Sequence, residues 1–223
     1  MFGKDAIVIS LKLFIITAIA ALCLAFVNKV TTPIIQVNTL KAEEEALQKV
    51  LQDAYDFKVV DAPKSTVEGV TVEKVNVGFA GDAAVGYVVT AVSSEGYGGD
   101  VKVMVGIDKD LKVTRIEILE HSETAGLGAN AKKPKFAGQY EGKTGEFAVV
   151  KGAAANENEI SAISSATVTS KAVTKAVNAA LAAAADCEAK DVSATAEKTA
   201  EKEDKIKKET EKQLEAAEGG KTE

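Results

Sequence analysis

The spacing of apolar and polar positions changes period along the chain and predicts its elements in turn. Residues 6–27, AIVISLKLFIITAIAALCLAFV, carry one charge, Lys12, in 22 positions. As a helix this stretch extends about 33 Å, close to the thickness of a bilayer's hydrocarbon core, which predicts a membrane anchor over residues 1–30. Thr31, Thr32 and Pro33 then predict a break near the interface, since helices usually end at or before the residue preceding a proline. Residues 36–52 return to helical periodicity through Val37, Leu40, Ala46, Leu47, Val50 and Leu51, an amphipathic helix within a linker region of 31–62.

Beyond Pro63 the period falls to two or to short β-branched runs. VEGVTVEKVNVGFA, AAVGYVVTAVSS, VKVMVGID, LKVTRIEILE and GEFAVV read as strands. Asp108-Lys109-Asp110 reads as a tight hairpin turn joining strands 101–107 and 111–119. Short helical pieces near 131–138 follow. At 167–185, Ala172, Val173, Ala176, Val177, Ala180 and Leu181 recur at steps of three and four, one face of a long helix. The sum is an α+β domain over 63–185. From Asp186 the chain is dense in Lys and Glu with no aromatic residue, so 186–223 reads as a charged tail, solvated or transiently helical.

Charge and rare residues narrow the function. A net charge of −6 argues against a nucleic-acid partner, which needs a basic stripe. Cys23 and Cys187, with no nearby His, cannot build a zinc or iron–sulfur site. His121 is the only histidine and has no Ser or Cys partner, so a structural role is its plainest reading; no catalytic residue and no metal site is expected. Ala18 and Ala20 give the A-x-A spacing of a cleaved signal peptide, yet Leu22, Leu24, Phe26 and Val27 continue the apolar run past it, which favours a retained anchor. Lys4 and Lys12 precede the span and Lys29 follows it. That mild bias predicts a single pass through the inner (cytoplasmic) membrane, with the N-terminus cytoplasmic and the rest outside.

The start of the 167–185 helix holds the candidate chemistry. Ser164, Ser165 or Thr167 can supply the N-cap oxygen, and the same helix end welcomes a phosphate through its free N–H groups and positive dipole. Taken alone, the cluster is a cap. Its sequence, Ala162-Ile163-Ser164-Ser165-Ala166-Thr167-Val168-Thr169-Ser170, resembles the flavinylation motif of the RnfG/NqrC family, S/T-G-A-T followed by x-T/S-S. Ser165 stands where the family has Gly, and Ser161 where an Asp often precedes the motif. A helix start can require a backbone angle that only Gly adopts freely.

Two further stretches carry the same resemblance. His121-Ser122-Glu123-Thr124-Ala125-Gly126-Leu127-Gly128 is similar to the family's H-x-E-T-P-G-L-G loop, with Ala125 for the Pro, and Gly96-Tyr97-Gly98-Gly99 followed by VKVMVGID is similar to its Gly-rich turn and strand. The resemblance implies FMN held covalently by a phosphoester on Thr167, installed by a separate flavin transferase, with Thr169 and Ser170 as weaker candidate acceptors. It places Ser164, Ser165, Ala166, Thr169 and Ser170 around the attachment. It also implies a loop packed on the flavin ring: Leu127 as apolar contact, Glu123 and Thr124 as polar ones, Gly126 and Gly128 allowing close approach, and Gly98 and Gly99 nearby.

The function implied is that of an electron carrier in an Rnf-type ion-translocating ferredoxin:NAD+ oxidoreductase, between a membrane iron–sulfur centre and another flavin subunit. Its partners would be membrane subunits A, D and E, peripheral subunits B and C, and the lipid bilayer. The charged tail and compact size suit Rnf over Nqr. The rival reading is an anchored extracytoplasmic interaction or structural protein without cofactor. A third, a flavin module feeding a reductase, needs an attached or partner reductase domain, and the chain has no G-x-G-x-x-G dinucleotide fingerprint.

Overall fold

The computed structural model describes residues 4–81 and 83–189 and divides the chain into two compact units, Met1–Ala42 and Glu43–Glu223. From Lys4 on, the first is part of one helix, α1 (Lys4–Val50). Its segment Ile9–Thr32 is 24 residues long with a mean hydropathy of 2.4, long and apolar enough to cross a membrane. Phe14, Leu22, Leu24 and Phe26 along it are exposed, a surface that suits hydrocarbon rather than water.

The break expected at Thr31–Pro33 does not occur: α1 is continuous for 47 residues. Thr31 Oγ1 donates to the Val27 carbonyl at 2.9 Å and Thr32 Oγ1 to the Asn28 carbonyl at 2.6 Å. These hydroxyls bond back into the helix instead of ending it. A proline withholds only one backbone bond, and neighbouring Ser and Thr side chains make such a loss tolerable in an apolar helix. Of the face expected on 36–52, Ala46, Val50 and Leu51 are buried whereas Leu40 is exposed.

The second unit is mixed α and β. Strands β1 (Asp56–Val60), β2 (Val70–Ala80), β3 (Ala83–Ser93), β4 (Val101–Asp108) and β5 (Val113–His121) form an antiparallel sheet in which every strand pairs with its sequence neighbour. Two 3-10 turns, Gly128–Lys132 and Gly138–Tyr140, flank a short helix α2 (Pro134–Ala137). Strands β6 (Ala148–Val150) and β7 (Glu159–Ser161) form a small parallel pair, and α3 (Thr167–Ala189) completes the described chain.

Both faces of the sheet are covered. The stripe Ala172, Val173, Ala176, Val177, Ala180 and Leu181 of α3 is buried against valines and isoleucines of β2, β3 and β4. Each fully buried Val contributes about 1.5–3 kcal/mol relative to exposure. The other face packs Val88 and Met104 against Ala46, Val50, Leu51 and Ala54.

Three boundaries move from the sequence expectation. After Asp108 the chain needs more than a three-residue turn: Leu111 is left-handed at φ 57°, Asp108 Oδ1 accepts from the N–H groups of Asp110 and Lys112 at 2.9 Å each, and β5 starts at Val113. The last helix runs on through Ala189 with Cys187 buried, so Asp186–Ala189 is helix; the remaining tail, 190–223, lies outside the described residues. The final predicted strand shortens to β6.

Candidate functional site

The three stretches singled out in the sequence meet at one buried carboxylate. Glu123, 8 % exposed, lies just beyond β5. Its Oε2 accepts from Thr169 Oγ1 at 2.7 Å, and its Oε1 accepts from the Gly98 N–H at 3.2 Å. The Glu123 N–H in turn donates to Nδ1 of His121 at 3.2 Å. Two glycines make this fit possible. A Cβ at Gly128 would touch Glu123 Oε2 and sit 2.6 Å from Thr169 Oγ1, and one at Gly98 would collide with the Ser122 carbonyl. Both serve packing of the protein on itself.

The N-terminus of α3 is built without a hydroxyl cap. The residue before it is Ala166, buried, whose carbonyl accepts the first helical bond from Ser170 N–H at 3.0 Å. None of the hydroxyls of Ser164, Ser165 and Thr167, the capping candidates, makes a hydrogen bond within the described residues. Ser170, fully buried, works across the turn instead: its Oγ accepts from the Ile163 N–H at 3.0 Å and donates to the Ala166 carbonyl at 2.9 Å. The N–H groups of Thr167, Val168 and Thr169 are left without a partner among the described residues. Ser165 turns the chain into the helix at φ 61°, a left-handed angle for a residue with a side chain.

Hydroxyls in this segment therefore differ in availability. Thr169 and Ser170 are buried and engaged. Ser164 and Ser165 are exposed, and Thr167 is half-buried at the first helical position. Beside Ser164 opens a cavity of about 540 Å³, lined by Gly126, Asn130, Lys133, Lys135, Phe136, Gln139 and Ser161 to Ser164. One wall is fixed by Gln139, whose side chain brackets the Ser161 backbone at 2.8 and 3.2 Å. Behind it, Phe136, Tyr140 and Phe147 pack edge to face at centroid distances of 5.9 and 5.4 Å, and the Tyr140 hydroxyl meets Thr174 Oγ1 of α3 at 2.7 Å. Burial pushes the Tyr140 phenol far above its usual range.

The structure thus brings Gly98, Glu123, Gly128 and Thr169 together, and puts Gly126 and Ser164 on one cavity. Thr124, Leu127 and Gly99 stay on the surface, with Leu127 42 % exposed. Lys133, Lys135 and Gln139 were not singled out from sequence. The run KKPK at 132–135, directly after one motif, was the signal that could have found the lysines. A second cavity, about 620 Å³, is lined by charged groups including Glu73, Asp100, Lys102, Glu120, His121 and Lys132. Lys102 there faces Glu73 at 2.8 Å and Glu43 at 3.8 Å. Burial works against its charge, but the surrounding carboxylates outweigh it and raise its pKa. None of the motif residues after Ser122 lines this cavity, so the smaller one is the better candidate.

Comparison with known proteins fits this geometry. Residues 96–182 match the FMN-binding domain family. Over 178 residues the chain is 38 % identical to the G subunit of the Na(+)-translocating ferredoxin:NAD(+) oxidoreductase complex of Acetobacterium woodii, covering 74 % of this chain and 84 % of that one. It is 34 % identical over 165 residues to the G subunit of the proton-translocating complex of Clostridium ljungdahlii, with the same coverage. The crystal structure of NqrC from Shewanella oneidensis is similar over 57 % of this chain and 65 % of its own, at 20 % identity and a TM-score of 0.45. With three motifs joined at one carboxylate and most of its length shared with these G subunits, the chain belongs to the RnfG family and carries its FMN-binding domain.

Proposed function

We propose that this chain is an electron-transfer flavoprotein of a membrane-bound, ion-translocating Rnf complex, and that it carries FMN as a phosphoester on Thr167. The observation that carries the attachment is the contrast among the hydroxyls: Thr169 and Ser170 are buried and engaged, while the Thr167 hydroxyl, on the first helical turn, has no hydrogen bond among the described residues. The donor set suits a flavin phosphate. Three N–H groups without a partner among the described residues and the positive end of a 23-residue helix would receive it, and Lys133 and Lys135 line the cavity beside Ser164.

Bound FMN supplies one- and two-electron redox chemistry, and the chain's task is to hold and orient it. A threonine hydroxyl is a weak nucleophile without a base, and Thr167 has no hydrogen-bonded base among the described residues. Attachment therefore falls to a flavin transferase using an activated flavin dinucleotide. The Thr167 Oγ–P bond forms, the phosphoanhydride P–O bond breaks, a nucleoside monophosphate leaves, and the hydroxyl proton passes to the transferase's base. Held there, the FMN would relay electrons between a membrane iron–sulfur centre and the flavin of a neighbouring protein in the complex. Subunits A, D and E in the membrane and B and C at its surface are the expected partners. The apolar span Ile9–Thr32 keeps the protein in the inner membrane, with its N-terminus cytoplasmic.

The test is co-expression of the full chain with a flavin transferase, followed by intact mass and flavin fluorescence of the denatured protein. The wild type should carry one FMN and Thr167→Ala none. A flavin retained by Thr167→Ala moves the acceptor elsewhere, and an unlabelled wild type removes the covalent reading.

A further inference from the structure

We infer that Glu123 is a positioning residue for flavin loading, holding the first turn of α3 in the rotation that presents Thr167 to the transferase. This rests on Thr167 being the acceptor. A helix advances about 100° per residue, so side chains two positions apart point to nearly opposite sides. Thr169 is drawn inward by its 2.7 Å bond to Glu123 Oε2, which leaves Thr167 turned outward. The same carboxylate holds the Gly98 N–H at 3.2 Å, and the Glu123 N–H is held by His121 Nδ1 at 3.2 Å. One side chain thus ties α3 to the loop after β5 and to the glycine turn before β4.

The carboxylate has no freedom to leave this post. A Cβ at Gly96 would lie 2.8 Å from Oε1, and the Gly128 backbone closes on Oε2. Both oxygens are spent on donors of the chain itself, which assigns Glu123 to holding the site's frame and not to touching the flavin ring. A carboxylate suits the task because both its partners are donors, and it can only accept.

The experiment measures the initial rate at which purified flavin transferase and a flavin dinucleotide load the full-length chain in detergent, per folded molecule as judged by circular dichroism. Thr169→Val keeps the shape and removes the donor; Thr169→Ser keeps the donor. Loss of a buried hydrogen bond to a charged group is expected to lower the Thr169→Val rate by about tenfold or more, with Thr169→Ser close to wild type. Glu123→Asp, one methylene too short to reach both partners, should be slowed as well and carries the test if Thr169→Val does not fold. A purely structural role would reduce folded yield and leave the rate per folded molecule unchanged. That result in either variant overturns the assignment while wild-type loading continues, whereas a wild type that takes up no flavin overturns the Thr167 reading and this one together.

Discussion

Replacing Ser165 by Gly should stabilise the protein, and the size of the effect follows from one backbone angle. Ser165 sits at φ 61° immediately before the residue that caps α3. A left-handed conformation costs a residue with a Cβ about 1–2 kcal/mol. Glycine removes that cost but gives back about 0.5–1 kcal/mol through the greater freedom of the unfolded chain. The Ser165 side chain is exposed and makes no hydrogen bond in the described residues, so nothing else is lost. The net is a stabilisation of up to about 1.5 kcal/mol, centred on about 0.7 kcal/mol, or roughly 1–3 °C in Tm for a unit of this size. Thermal melts of the full-length chain in detergent, followed by far-ultraviolet circular dichroism, measure it. Ser165→Ala keeps the Cβ and should melt with the wild type, while β-branched Ser165→Val should melt lower. Because the same turn sets the entry to α3, Ser165→Gly should also raise flavin occupancy. A Gly variant that melts at or below the wild type refutes the strain argument, and unchanged occupancy refutes its link to loading.

Other expectations concern separate parts of the molecule. Partial burial, then the nearby Lys132, lower the pKa of His121 from 6.5 against the opposing pull of Glu123. The unfolded chain therefore takes up this proton at a higher pH than the folded one. Stability from this group is complete above 6.5 and lost as pH falls through the lower folded value; His121→Gln should flatten the fall of Tm between about pH 7.5 and about pH 5. Tyr140→Phe keeps the edge-to-face packing and loses the 2.7 Å bond to Thr174, which should cost about 1 kcal/mol in chemical denaturation. The Ile9–Thr32 segment should hold the protein in alkaline-washed membranes at its full intact mass; a shortened mass with release into the wash would mean a cleaved leader.

The sequence made the middle of the fold legible because each strand from β2 to β5 has its own β-branched run and α3 its own apolar stripe. Elements that depend on partners were hidden. DFKVV becomes β1 by pairing along the edge of β2, and Glu159–Ser161 becomes β7 only where Ala148–Val150 runs beside it. Thr31, Thr32 and Pro33 carry the local signal of a helix stop, yet α1 is continuous because the two hydroxyls turn back onto carbonyls of the preceding turn. At the site, the motif order was readable, but not that the cap lies at Ala166 or that Glu123 joins three segments. Such links depend on contacts between residues far apart in the chain, which no local pattern records.

The meander of the sheet has a consequence for the order of assembly. Every strand from β1 to β5 pairs with its neighbour in sequence, so the sheet can zip from short loops, whose closure costs little entropy. Helix α3 comes last, and its docking against β2, β3 and β4 closes the longest loops in the described chain. If Thr167 is the acceptor and α3 docks after the sheet has formed, the modification site lies on the final piece to fall into place. The transferase would then meet a presented hydroxyl only on chains that have finished folding, and the flavin would mark maturity as well as supply redox chemistry.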